Sequence, residues 1–190
     1  MVTLRILRTV RSALNNRQTI LLHFWSTYTS PRSISLVSAA AEQLLCKLRS
    51  GHPQLVHKLV VASGFFSHDG ADRAFWNGFA NATLDVMPKE LRDSYLEVAP
   101  DSENLQSMFD KAVQRTGTFK DIPEDKIRSI TAPTLVVCGD ADVMRPEHAV
   151  RQFRLLPHAQ LAILPGTDHM KVTARTSWLA PMIAEFLDAK

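Results

Sequence analysis

The sequence predicts an α/β fold: a parallel sheet with flanking helices and a helical cap. Three observations predict it. Short apolar runs of strand length stand at 57–63, 133–138 and 160–164. Segments of helical periodicity lie between and after them. Two of the runs end in polar tips that contain glycine, Gly139–Pro146 and Pro165–Met170. Strand, helix, strand, helix in that order is the signature of parallel pairing.

Each element has a local reason. His57–Ser63 is apolar and closes on small residues, which suits a strand buried on both faces. His52-Pro53 ahead of it reads as a helix end and turn. Residues 66–130 lack strand alternation and read as helices. Asp69 and Asp72 are placed to cap a helix carrying Phe75, Trp76 and Phe79. Pro88 fits a first helical turn ahead of Leu91, Tyr95 and Leu96. Asp101 or Ser102 can cap a helix with Leu105, Met108, Phe109 and Val113 on one face, and Pro123–Ile130 reads as one more short helix. The block is either a helical layer packed on itself or a lid whose apolar underside (Phe65, Phe66, Trp76, Phe79, Met87) holds a substrate. Pro133–Cys138 is a β-branched strand and Glu147–Leu156 an amphipathic helix. Gln160–Leu164 is a strand, and Ala174–Ala189 is a closing helix with Trp178, Leu179, Met182, Ile183, Phe186 and Leu187 turned inward.

Composition narrows the classes. The chain has 190 residues, 45% apolar and 22% charged, which fits a globular chain and not a disordered one. Cys46 and Cys138 are too few for a disulfide scaffold or a Cys-based zinc finger, and with no signal peptide they point to a reducing cytoplasm. No run of ~20 apolar residues is available to span a membrane. The bases are scattered without a nucleic-acid-binding motif around them, so no nucleic-acid partner is expected.

Charge divides the chain. Residues 1–50 hold seven Lys/Arg against the single acid Glu42, whereas residues 51–190 hold fifteen bases against eighteen acids. A basic, Ser/Thr-bearing start resembles a mitochondrial presequence in composition, but Pro31 and the Thr27–Ser30 run interrupt any amphipathic helix.

The candidate chemistry lies at the strand ends, where parallel sheets place their sites. Asp142 follows one strand and His169 the next, with one crossover helix between them. Singly, each has a plain alternative: a solvated turn former in Gly-Asp-Ala-Asp, and a loop histidine. Together, at adjacent strand tips, they can form a carboxylate–imidazole pair. The carboxylate fixes the tautomer and leaves the other nitrogen free as a general base.

Ala132–Pro146 followed by Leu164–Met170 resembles the C-terminal end of an α/β-hydrolase. The likeness covers about 52–190, with residues 66–130 as the cap, and includes His52–Ser63 as the segment behind the nucleophile helix. The resemblance makes Asp142, in Gly-x-x-Asp-x-x-x-Pro, the acid in preference to Asp140, and His169 the base. It implies a Ser-His-Asp triad hydrolysing a small, apolar, ester-like substrate, with no metal or organic cofactor.

Residues 1–51 do not match that family. The Gly-x-Ser-x-Gly elbow it places on a strand-to-helix turn is missing. Leu36-Val37-Ser38-Ala39-Ala40 stands there, with Ser38 in place and neither glycine, and Ser38 also reads as a plain N-cap of a helix over Ala39–Leu48. With freely chosen synonymous codons, a frame displaced by two nucleotides across Arg17–Arg49 can encode an amphipathic helix, a strand, a Gly-Phe-Ser-Gly-Gly elbow and the helix behind it. Residues 1–50 are therefore expected to be a frameshifted remnant and the chain to be impaired. The alternative is a non-catalytic half-hydrolase serving as a binding module, in which loss of the earlier strands bares the edge of the strand at 57–63. Cys138 reads as a small buried hydrophobe.

Overall fold

A computed structural model describes residues 19–23, 33–38, 56–98 and 102–189. Five strands form one parallel sheet in sequence order: β1 (Thr19–His23), β2 (Ser33–Ser38), β3 (Val56–Ala62), β4 (Thr134–Ala141) and β5 (Ala159–Asp168). The helices are α1 (Arg73–Ala80), α2 (Lys89–Val98), α3 (Leu105–Gly117), α4 (Glu124–Arg128), α5 (Pro146–Leu155), α6 (His169–Ala174) and α7 (Thr176–Asp188).

Strand periodicity divides the core between the two faces of the sheet. Leu59 and Val61 of β3 and Val136 and Cys138 of β4 enter one cluster with Ile127, Ala149 and Leu155. The alternate residues Val60, Ala62, Leu135 and Val137 enter the other with Leu179, Ile183, Phe186 and Leu187 of α7. A strand covered on both sides has no use for polar alternation, so the sequence reads as continuous apolar runs. Pro146 opens α5 at a position where the missing N–H costs no hydrogen bond.

The C-terminal helix is tied down from the sheet. Lys58 Nζ on β3 donates to the carbonyls of Phe186 (2.7 Å), Leu187 (3.1 Å) and Ala189 (2.5 Å). These carbonyls lie in and just past the last turn of α7, where intrahelical partners run out.

Several expectations change in detail. The closing helix expected from Ala174 begins at Thr176, because Arg175 (φ −78°, ψ 57°) leaves the helical region, and a separate short helix, α6, precedes it. Asp72 stands at the N-cap of α1, but its carboxylate binds the Arg145 guanidinium and makes no capping bond. Asn104, and not Ser102, stands at the N-cap of α3; Asp101 lies outside the described residues. The strand at 57–63 is not an edge. β2 pairs with it along its length, Ser38 opposite Ala62, and β1 covers β2 in turn. The baring of that edge, on which the binding-module alternative rested, therefore does not occur. Ser38 closes β2; residues 39–48, over which a helix capped by Ser38 was expected, lie outside the described residues. Among the described residues, no helix is long and apolar enough to cross a membrane.

Candidate functional site

All five strands run the same way, so their C-terminal ends share one rim. Along it stand Ser38 at the end of β2, Ser63 just past β3, Asp142 just past β4 and His169 just past β5. The polar tips of adjacent parallel strands converge here, at the usual place for a site in such a sheet.

The ends of β4 and β5 are drawn together by two residues. Gly139 passes so close to Thr167 that a Cβ on it would lie 1.8 Å from the Thr167 carbonyl oxygen. The Asp140 carboxylate accepts the N–H groups of Gly166 (2.9 Å) and Thr167 (3.0 Å). Those N–H groups hold the Asp140 carboxyl below the usual range, against a smaller opposing effect of burial. Gly166 takes φ +57°, a left-handed turn that glycine adopts without a steric penalty. Asp168 then caps α6 by accepting the Lys171 N–H at 3.0 Å, and His169 is the first residue of that helix. Asp140 thus serves the loop that carries the histidine and does not face the imidazole.

Asp142 and His169 meet. His169 Nδ1 lies 2.7 Å from Asp142 Oδ1; the Asp142 side chain is fully buried and the imidazole is 32% exposed. Oδ1 also accepts the Met144 N–H at 3.2 Å. Oδ2 accepts the Ser63 hydroxyl at 2.5 Å and the Gly139 N–H at 3.3 Å. Burial alone would push the Asp142 carboxyl up. The bond and charge of His169, with the Ser63 hydroxyl and the Met144 N–H, outweigh it and hold the carboxyl below its ordinary value. An ionised carboxylate accepts only, so Nδ1 carries the proton in this pair. Nε2 has no hydrogen-bond partner among the described residues.

Other candidates resolve differently. Phe65 and Phe66 are 2% and 1% exposed and fill the core, with Phe66 stacked on His148 at 4.2 Å between ring centroids. Trp76 stacks on Phe119 and donates its indole N–H to His68 O at 2.8 Å. Cys138 is fully buried, and burial with the nearby Asp142 and Asp140 charges pushes its thiol up to about 12, so it is inert. No group of three His, Cys, Asp or Glu among the described residues is disposed to hold a metal. A cavity of about 560 Å³ opens between α4 and α5, beside Glu124, Arg128, Arg151 and Arg154, and includes neither Asp142 nor His169.

Sequence reasoning missed Ser63. The signal available was a serine between an apolar run and Gly64, which any strand end can show. It also read Asp140 only as the lesser choice for the acid, since its partners are backbone groups 26 and 27 residues away.

No family model matches the chain. A curated protein of Synechocystis sp., described as a non-heme chloroperoxidase, is 27% identical over 138 residues, covering 63% of this chain. The chain spans about half the length of that relative, 50%. Solved structures align more broadly. A meta-cleavage product hydrolase of Pseudomonas fluorescens matches 98% of this chain and 85% of its own, at TM-score 0.64 and 17% identity. An esterase of Thermogutta terrifontis matches 82% of this chain and 64% of its own, at TM-score 0.57 and 15% identity. The enol-lactonase of Burkholderia xenovorans matches 84% and 66%, at TM-score 0.62 and 14% identity. With its parallel sheet, flanking helices and polar rim, this chain has the α/β-hydrolase fold and covers the C-terminal part of it.

Proposed function

We propose that the site is built for acyl transfer to water from a small, apolar, ester-like substrate, with Asp142 and His169 as its acid and base. The observation that carries the reading is the 2.7 Å contact between His169 Nδ1 and Asp142 Oδ1 at neighbouring strand tips. With Nδ1–H held by the carboxylate, Nε2 is the base that takes a proton from an attacking hydroxyl. Asp142 then stabilises the imidazolium. The solved structures of similar fold include an esterase and an enol-lactonase, which supports an ester or lactone as the substrate class. The helical block 66–130 is the cap in this reading, and the cytoplasm is its setting.

Ser38 holds the nucleophile's place on the rim, two strands from Asp142. Leu36 and Ala40 stand where the elbow has glycines, and a Cβ at either position opposes the strained turn and the close helix packing. The chain as written therefore turns over esters at close to background, since triad members act as a unit. This reading keeps residues 1–50 as an out-of-frame remnant. A displaced frame encoding Gly-x-Ser-x-Gly in the gene supports that, and its absence removes it.

The test is to restore the elbow. Turnover of a p-nitrophenyl ester is compared for the unaltered chain, the double variant Leu36→Gly with Ala40→Gly, and the same variant with His169→Ala or Ser38→Ala. The restored chain gains activity that either further substitution abolishes. Gained activity that survives His169→Ala rejects the acid–base pair, and clear Ser38-dependent turnover by the unaltered chain rejects the impairment.

A further inference from the structure

Ser63 is the single non-glycine with positive φ among the described residues, at +55°. That region is unfavourable for an L-residue because Cβ crowds the backbone. A glycine would accept it freely, and Gly64 is the next residue. The backbone here is fixed from both sides. The Ser63 N–H continues the β3–β4 ladder by donating to Val137 O at 2.8 Å, and the chain then turns into the buried Phe65 and Phe66.

The strained residue is also buried, at 3% exposure, and its side chain is polar. A buried hydroxyl needs a partner. Its partner is Asp142 Oδ2 at 2.5 Å. The two side-chain donors to this carboxylate therefore take opposite oxygens: Ser63 on Oδ2 and His169 on Oδ1. An aspartate carboxylate can rotate about its terminal bond, since that torsion has a broad preference. A donor fixed on one oxygen sets where the other points.

We infer that Ser63 is a positioning residue that locks the plane of the Asp142 carboxylate and so aims Oδ1 at the His169 Nδ1–H. The inference rests on reading Asp142 and His169 as the acid–base pair. Ser63 is not the nucleophile in this arrangement. Its hydroxyl proton is directed to the carboxylate oxygen away from the imidazole, so the histidine base does not receive it.

The experiment uses the full chain with ¹⁵N-labelled histidine, and reads the His169 Nδ1 and Nε2 shifts and the downfield Nδ1 proton at one neutral pH. The His169 signal is assigned by its disappearance in His169→Gln. The variants are Ser63→Ala, Ser63→Gly and Asp142→Asn, each with a thermal melt. Ser63→Gly separates the two roles of the residue, because it removes the hydroxyl and relieves the positive φ. The expected result is loss of the downfield proton and a shift of the tautomer signature in both Ser63 variants, with Ser63→Gly melting no lower than Ser63→Ala. If the proton persists in both Ser63 variants but is lost in Asp142→Asn, Ser63 does not position the carboxylate and the pair stands without it. If Asp142→Asn also leaves the proton unchanged, the acid–base pair itself is wrong, and the role of Ser63 falls with it.

Discussion

Gly139 and Thr167 cross at a separation that excludes any side chain on residue 139. A Cβ there would lie 1.8 Å from the Thr167 oxygen and 2.6 Å from its carbonyl carbon. Both obstructing atoms are backbone, so no rotamer change relieves the clash. This crossing brings the tip of β5 against the tip of β4, and the register between them is irregular at this point, with Ala141 paired to Asp168. Gly139→Ala is expected to cost about 3 kcal/mol, at the upper end for overpacking. Urea unfolding measures that cost. The His169 Nδ1 proton should also be disturbed, because the strand that must yield carries the histidine.

Asp140 secures the same junction through charge. Its two oxygens accept two consecutive N–H groups, and both bonds need the ionised carboxylate. Asp140→Asn keeps the size and removes the charge. Amide exchange at Gly166 and Thr167 is expected to quicken by roughly tenfold, as a local opening becomes easier, while core amides of β4 change little. Equal acceleration throughout would show a global loss of stability and no local latch. Because the Asp140 carboxyl sits below its ordinary range, this contribution is present above the unfolded value and is lost as pH falls through the folded one.

His148 sets an acid limit on the fold. It is 4% exposed, its Nε2 accepts the Phe66 N–H at 3.3 Å, and its ring stacks on Phe66. Burial lowers its pKa from 6.5 to about 4, with Asp69 opposing and Arg151 assisting. The unfolded chain takes up the proton near the ordinary histidine value, whereas the folded chain resists until about 4. Stability therefore falls as pH drops between those values, by up to about 3 kcal/mol from this group. Urea midpoints at pH 7 and pH 4.5, compared for the native chain and His148→Gln, measure the effect. The variant should show a visibly flatter dependence.

Lys58 ends α7 from the sheet face that α7 covers. Its ammonium meets three carbonyls near the helix C-terminus, where positive charge is favourable. Burial lowers its pKa, with the Asp188 carboxylate opposing. Lys58→Met keeps most of the stem and removes the donors, and should cost about 2 kcal/mol. Proteolysis should then begin at the C-terminal turn. An unchanged urea midpoint with unchanged proteolysis would show that water satisfies those carbonyls equally well.

The strands at 57–63 and 133–138 were legible because a sheet buried on both faces demands apolar runs, and that demand is written locally; the strand at 160–164, at the sheet edge and only partly buried, was legible from its short apolar run. The helix behind β4 was legible from the spacing of Ala149, Val150, Phe153 and Leu156, although the structure starts it at Pro146 and buries His148, Ala149, Gln152 and Leu155. Asp142 and His169 could be selected because strand–helix–strand connectivity places consecutive strand tips side by side. Position along the rim is a topological consequence of sequence order.

What the sequence could not state are contacts set by three-dimensional approach. Ser63 and Asp142 are 79 residues apart and share no pattern. The choice between Asp140 and Asp142 was made by resemblance, yet the task of Asp140 comes from backbone N–H groups, which every residue but proline carries. Phe65 and Phe66, read as either lid underside or packed layer, are packed core, since amphipathic pattern reports that a side chain is sheltered and not what shelters it. Sequence by itself determined the parallel layer and which strand tips bear the carboxylate and the imidazole, because periodicity and connectivity are local properties. Only the tertiary structure decided which oxygen faces which donor, because that depends on distances between segments the chain brings together only when folded.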